Sequence, residues 1–330
     1  MRGRRAVVIS GGRGAEHDVS LASGRAIAEA LRDLGADVTT CLVTRDGTWR
    51  TNGVPGLGAA LEALATADVA FPALHGPWGE DGTVQGLLET VGVPYVGSGV
   101  LASATCMDKA LAKLRLAAAG IHVAPGRTVR APLTPDATDA LLAEFGLPLF
   151  VKPVSSGSSF GVSRVGRAED LAAAVVRAAA YSDEVLVEPE IRGLEIDLGV
   201  LEHPSGRIEA GPLLQIEPDP AEPFFSTAAK YERAGTRFLV PAPVSGALAT
   251  ELSGIAVRAF EALGCRGLAR VDFLVDPRRG PIVNEVNTMP GFTEHSQFPQ
   301  MWRAAGLPFT ALVSVLAETA IARRLTSVPA

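Results

Sequence analysis

The sequence predicts an α/β layer followed by α+β units, and three observations carry that expectation. A short apolar strand, Ala6–Ser10, runs into Gly11-Gly12-Arg13-Gly14 and then into a helix with Ile27, Leu31 and Leu34 at i, i+4, i+7. Strand, glycine turn and helix in that order open an α/β layer. Further along, Leu149–Pro153 and Val162–Val165 flank a small-residue loop, Ser155–Gly161, as a hairpin does, with a helix at Leu171–Ala180 and a strand at Val185–Glu188 after it. Near the end, Ala269–Val275 and Ile282–Asn287 flank the turn Asp276-Pro277-Arg278-Arg279-Gly280.

The remaining elements fall between these. Val69–Leu74 is a second apolar strand that runs into His75-Gly76-Pro77-Trp78-Gly79-Glu80-Asp81-Gly82, whose glycines and proline break regular structure. Loops at strand ends of open α/β sheets are where ligands bind. Met107–Ala119 reads as one helix stopped by Gly120, and Glu195–Leu201 and Ile208–Leu214 as strands. Gln215–Val240 reads as a long irregular segment, of the kind that forms a lid or is disordered. Phe309, Leu312, Val313 and Leu316 mark a core-facing stripe on the last helix. The length of 330 residues suits two or three domains, placed at 1–103, 104–188 and 189–330.

Composition narrows the function. Hydrophobic residues make up 47% and charged residues 20%, as in ordinary globular proteins. A net charge of −6 and 5% aromatic residues argue against nucleic-acid partners. No apolar stretch approaches the ~20 residues of a membrane span, and the run behind the basic start is too short for a secretion signal. The three cysteines are odd in number and far apart in sequence, which predicts neither a disulfide framework nor a zinc site and suits a cytoplasmic protein. Only Lys109, Lys113, Lys152 and Lys230 are lysines among 30 basic residues, so each lysine is notable.

The hairpin Arg270–Asn287 is the most informative segment. Pairing its strands about the turn sets Asp272 opposite Glu285 and Arg270 opposite Asn287, all on one face, with Val271, Phe273, Ile282 and Val286 mostly on the other. Two carboxylates opposed across a ladder repel. Either a hard divalent cation held by Asp272, Glu285 and Asn287 relieves that repulsion, or this is a solvated acidic face compensated by Arg270. The Ser155–Gly161 loop lies just after Lys152 and could cradle phosphate with backbone N–H groups and hydroxyls; as a plain hairpin tip it would need no ligand. Val185–Glu188 is either a core strand or an edge strand that offers backbone groups to an adenine ring. His75 could cap backbone groups, and Glu16 could serve as a first-turn acid. No Walker-type phosphate loop is present, and the first glycine run misses the dinucleotide-binding spacing.

In order along the chain, a further set of segments is similar to the D-alanine–D-alanine ligase family of ATP-grasp enzymes. They are Gly11-Gly12 through Glu16-His17-Asp18-Val19-Ser20, Leu74-His75-Gly76 through Gly82, Tyr95–Gly99, Met107-Asp108-Lys109, Val151-Lys152-Pro153, Gly157–Gly161, Ala229-Lys230-Tyr231, Arg270-Val271-Asp272 and Asn284–Gly291. The resemblance implies an ATP-grasp fold behind an N-terminal Rossmann-like α/β domain that binds substrate. It implies the ATP-dependent joining of two D-alanine molecules through an acyl phosphate, for peptidoglycan. Lys109, Lys152, Glu188, Ile191, Glu195 and Lys230 would bind ATP, with Glu188 at the adenine amino group and Glu195 at the ribose. Asp272, Glu285 and Asn287 would hold two Mg²⁺ ions, for which Mn²⁺ can substitute. Arg270 and the Gly291 amide would stabilise the oxyanion. Glu16 would hold the first D-alanine in a set with Ser158 and Tyr231, His75 would lie beside it, and Ser296 would take the second carboxylate. A homodimer goes with the family. The lid departs from the family pattern: Phe224-Phe225-Ser226-Thr227-Ala228 stands where Phe-Tyr-Asp-Tyr is usual. The Lys230-Tyr231 pair remains, which goes with D-alanine rather than D-lactate as the second substrate. The alternatives are a sister ligase with another acceptor, such as D-serine or a secondary-metabolite amino acid, and a non-catalytic ATP-binding regulator. The intact hairpin residues speak against the regulator.

Overall fold

The computed structural model of the chain describes residues 1–218 and 235–327. Its strands form three sheets. The first contains β1 (Arg5–Gly11), β2 (Asp37–Val43), β3 (Trp49–Thr51), β4 (Val54–Pro55) and β5 (Val69–Pro72), in the order β4-β3-β2-β1-β5. β1 pairs in parallel with both β2 and β5. Its neighbours are therefore reached by crossovers to opposite sides, and the loops leaving β1 and β5 open at the same end of the sheet. α1 (His17–Asp33) follows the first of these loops and α3 (Thr83–Val91) the second; α2 (Leu57–Thr66) precedes β5.

The segment expected as one helix over Met107–Ala119 is two helices, α4 (Val100–Met107) and α5 (Lys109–Ala118). Asp108 leaves the helical conformation between them and caps α5 by accepting from the Leu111 N–H at 2.9 Å. A short polar side chain that can bond the backbone favours such a break over helix continuation.

The second sheet is antiparallel, in the order β6 (Arg127–Val129), β9 (Val185–Pro189), β7 (Leu149–Pro153), β8 (Ser163–Val165). β9 is thus an interior strand, paired on both sides, which bears out the core-strand reading of this segment and not the edge-strand one. Val151, Val187 and Leu149 pack on α6 (Pro135–Phe145) and α7 (Leu171–Ala179). Alternation along β7 and β9 leaves Phe150, Lys152 and Glu188 on the opposite face.

The third sheet has the order β12 (Arg237–Leu239), β11 (Ile208–Glu217), β10 (Leu194–Glu202), β13 (Leu268–Asp276), β14 (Gly280–Asn287). β11 and β12 are strand at the two ends of the segment read as irregular, and the pairing of Gln215 with Leu239 joins them. The backbone there gains ladder hydrogen bonds that a lone segment cannot supply, which is why sequence reading missed it. Ile196, Leu198, Ala269, Val271 and Phe273 pack against α8 (Gly246–Ala262) and α5. The hairpin register is as expected from Arg270↔Asn287 to Asp272↔Glu285 and then shifts: Phe273 pairs with Val283, not Asn284. This bulge turns Asn284 out, so Val283 takes the core position assigned to Ile282.

α9 (Gln297–Ala304) and α10 (Phe309–Ser327) return to the first sheet. Leu312, Val313 and Leu316 join Ile27, Leu31, Val8 and Phe71 in one core, as the stripe predicted. Phe292 lies at its centre, with ring centroids 5.7 Å from Phe71, 6.0 Å from Phe298 and 5.6 Å from Phe309. Among the described residues no single helix is long and apolar enough to cross a membrane; the bent pair α9–α10 that passes together is built into this core.

Candidate active site

The polar faces of the second and third sheets border one cavity. Lys109, Phe150, Lys152, Ser156–Ser159, Glu188, Ile191, Glu195, Asp197, Arg270, Asp272, Asn284 and Glu285 line it. Nine of the residues singled out from sequence are among these: Lys109, Lys152, Ser158, Glu188, Ile191, Glu195, Arg270, Asp272 and Glu285.

On one wall Glu188 is only 3% exposed and forms ion pairs with both Lys113 and Lys152. Burial alone would raise its carboxyl, but Lys152 and Lys113 override this and hold it below its ordinary value. The Lys152 ammonium also donates to Asn284 Oδ1 at 3.4 Å, a contact that the β14 bulge makes available. Lys109 donates to the Ser156 carbonyl at 2.6 Å and lies 3.8 Å from Glu285. The Ser155–Gly161 loop is anchored as well: Ser156 Oγ donates to the Phe160 carbonyl at 3.0 Å, and Phe160 stacks on Tyr181 with centroids 6.3 Å apart.

On the other wall Arg270 grips Asp272 with two bonds of 2.7 Å, Nε to Oδ1 and Nη2 to Oδ2. Its Nη1 donates to Gln297 Oε1 at 3.0 Å. Asp197, directly across the β10–β13 ladder from Asp272, lies 3.4 Å from Arg270 Nε and accepts from Gln297 Nε2 at 2.8 Å. Burial opposes the Arg270 charge, yet Asp272 and Asp197 beside it raise its pKa above the ordinary value. Asn287 donates to Asp272 Oδ2 at 3.1 Å. Arg270 therefore does compensate the acidic face.

The same donor set fits magnesium. Among the described residues no three His, Cys, Asp or Glu side chains cluster as a metal cage. Asp272 and Glu285 face each other across the ladder with the Asn287 amide next to them. Two carboxylates and an amide, completed by substrate phosphates, are what Mg²⁺ takes, rather than an all-protein cage.

The first sheet contributes from the ends of β1 and β5. Glu16 stands at the N-cap of α1 without capping it; its Oε1 accepts from Ser158 Oγ instead. Its carboxylate fits between Gly76 and Gly157, where a Cβ on either residue would overlap Oε2. Gly76 also has φ +70°, a conformation that suits glycine.

His75 is buried and caps backbone, as one of its two readings held. Its Nδ1 donates to the Met289 carbonyl at 2.8 Å, so its Nε2 accepts from Ser23 Oγ at 3.0 Å. Burial lowers its pKa, which favours this neutral form. Glu80 accepts from the Gly76 and Met289 N–H groups at 2.9 and 3.0 Å. Both backbone groups of Met289 are thus held by the loop after β5. Burial and the nearby Glu16 raise the Glu80 carboxyl to about 8. Two residues further on, Gly291 approaches Ser296, the N-cap of α9, whose Oγ accepts from the Thr293 N–H at 3.0 Å.

Lys230, Tyr231 and the departing segment Phe224–Ala228 lie outside the described residues. Lys113, Asp197, Asn284, Gln297 and Glu80 were missed from sequence. Only Lys113 had a signal there: it is the fourth lysine, at i+4 from Lys109 on one helix face. Cys106 and Cys265 also meet, with sulfurs 3.7 Å apart as buried free thiols.

Comparison with known proteins agrees with this architecture. The family model described as D-ala D-ala ligase C-terminus matches residues 116–318, and the one described as D-ala D-ala ligase N-terminus matches 54–98. The D-alanine–D-alanine ligase of Mycobacterium sp. (strain KMS) is 42% identical, over 97% of this chain and 96% of that protein. That of Corynebacterium aurimucosum is also 42% identical, over 97% and 98%. Among solved structures, the VanG D-Ala:D-Ser ligase from Enterococcus faecalis superposes with a TM-score of 0.84 at 32% identity, over 97% of this chain and 100% of that one. The D-alanine–D-alanine ligase from Coxiella burnetii gives 0.84 at 31% identity, over 99% and 96%. With matches of this identity along nearly its whole length, the chain belongs to the D-alanine–D-alanine ligase family of ATP-grasp proteins.

Proposed function

We propose that this protein is an ADP-forming ligase that joins two D-alanine molecules into D-alanyl-D-alanine for peptidoglycan, with ATP as co-substrate. The observation that carries the reading is the cavity in which Lys109, Lys152 and Glu188 face Arg270, Asp272 and Glu285 while Ser158 reaches across to Glu16. Phosphoryl transfer needs cationic clamps and positioning more than a nucleophilic side chain, and this site offers both.

In this reading ATP lies between the two sheets. Glu188 accepts from the adenine amino group, Ile191 lines the base, Glu195 meets the ribose, and Lys109 and Lys152 bind the phosphates. Lys230 is assigned to the transferred phosphoryl group. Asp272, Glu285 and Asn287 would hold Mg²⁺ or Mn²⁺, which would supply neutralisation of the phosphate charge. Glu16 holds the ammonium of the first D-alanine, with Ser158 and Tyr231 fixing the carboxylate of Glu16 and His75 beside it. The first substrate's carboxylate attacks the γ-phosphorus, forming an acyl phosphate and ADP. Ser296, at the start of α9, takes the carboxylate of the second D-alanine. Its amine attacks the acyl carbon, and Arg270 with the Gly291 N–H stabilises the oxyanion before phosphate leaves. Asp197 and Gln297 support Arg270 independently of Asp272. We take the assembly to be a homodimer, to be checked by light scattering, and the location to be the cytoplasm, where ATP is available.

The test is ADP release with D-alanine, ATP and Mg²⁺, followed by product analysis over an acceptor panel of D-alanine, D-serine and D-lactate. D-Alanine is expected to be the best acceptor. No turnover above the control without amino acid, from folded protein, overturns the reading; a better rate with D-serine overturns the acceptor assignment.

A further inference from the structure

Lys113 has no role in the reaction described above, yet it is buried at 8% exposure and pairs with Glu188. It does not line the nucleotide cavity, whereas Lys109 and Lys152 do. Its ammonium is shared between Glu188 and the Ala124 carbonyl, the latter at 3.2 Å. Direct contact with ATP is therefore not its task.

Glu188 poses an electrostatic problem that Lys113 answers. The ammonium of Lys152 is shared between Glu188 and Asn284. To clamp phosphates beside the Ser155–Gly161 loop, Lys152 must leave Glu188. If Lys152 were the sole counter-ion, its departure would strand a buried carboxylate, which is strongly unfavourable. Glu188 would then retain Lys152 and oppose nucleotide binding. A second ammonium that stays behind removes that opposition. It also keeps Glu188 ionised and fixed, so that both of its oxygens act as acceptors toward the adenine amino group. Burial pulls the Lys113 ammonium down to about 8, so it still carries its charge at neutral pH.

We propose that Lys113 is a positioning residue: it stays on Glu188 as resident counter-ion when Lys152 is released to the nucleotide phosphates. The proposal rests on the nucleotide reading of Lys152 and Glu188 given above.

A double-mutant cycle tests it, read as the ATP dissociation constant by titration calorimetry, with Tm recorded for each variant. Lys113→Met is expected to weaken ATP binding about tenfold or more, because Glu188 then holds Lys152. In the Glu188→Gln background there is no carboxylate to hold Lys152, so adding Lys113→Met is expected to change binding by less than about twofold. Lys113→Arg keeps the charge and is expected to bind ATP within about threefold of the unsubstituted protein. An equal loss from Lys113→Met in both backgrounds marks an ordinary structural residue and overturns the proposal. If Lys113→Met fails to fold, Lys113→Gln in the same two backgrounds carries the comparison. Lys152→Met separates the two levels. If it binds ATP as the unsubstituted protein does, the nucleotide reading falls and the proposal with it; if it binds poorly while the cycle is additive, only the proposal falls.

Discussion

A methyl group added at Gly157 would strike the Glu16 carboxylate. The Cβ of an alanine there would overlap Oε2 and approach Cδ to 3.2 Å. Gly157 is not at positive φ, so alanine fits its backbone without strain and the perturbation is confined to the contact. Glu16 is the movable partner, because its carboxylate is the far end of a flexible side chain while Gly157 belongs to a loop anchored through Ser156 and Phe160. As Glu16 swings aside, it loses the bond from Ser158 Oγ. A hydrogen bond to a charged group contributes about 1.5–3 kcal/mol. At about 1.4 kcal/mol per factor of ten, kcat/KM for D-alanine falls about 10- to 150-fold. The assay is coupled ADP release at saturating ATP, with Tm measured alongside. Tm is expected to hold, since a half-buried loop position away from the core changes stability by about 0.5 kcal/mol or less. Ser158→Ala removes the same bond, so the double variant should lose little more than either single one. A kcat/KM within about threefold of the unsubstituted value in Gly157→Ala would refute the assignment of Glu16 to the first substrate.

Three further outcomes follow from the same geometry. Asp272→Asn or Glu285→Gln should cut ADP release about 100-fold or more while circular dichroism stays native; retained activity at ordinary Mg²⁺ concentration would show the metal assignment to be wrong. Glu80 has its folded-state pKa raised to about 8, so between its ordinary value and that point the folded protein binds the extra proton and stability falls as pH rises. Melting curves from about pH 5 to about pH 9 should decline less in Glu80→Gln than in the unsubstituted protein, and parallel curves would contradict this. Phe292→Ala should cost about 3–5 kcal/mol in urea unfolding, because it empties the centre of the core that joins the first sheet to α9 and α10; a cost below about 1 kcal/mol would mean the core collapses around it.

Much of the site was legible because it is local. The Arg270–Asn287 hairpin closes within a few residues of its turn, so strand alternation alone set Asp272 against Glu285 and Arg270 against Asn287. The core stripe of α10 and the strand–loop–strand around Ser155–Gly161 are equally short-range patterns. What the sequence could not carry depends on distant segments meeting. Ser158 lies 142 positions from Glu16, and their bond exists only because the second sheet is set against the end of β1. Asp197 faces Asp272 through the β10–β13 register, and Glu188 sits between Lys113 of a helix and Lys152 of a strand. The bulge at Asn284 is local, yet the residues there do not distinguish a bulged ladder from a regular one. The sequence by itself determined most of the element types, the acidic hairpin and the family. Tertiary structure alone decided which charge compensates which, because Coulomb and desolvation energies depend on through-space distance and burial, and neither is set by spacing along the chain.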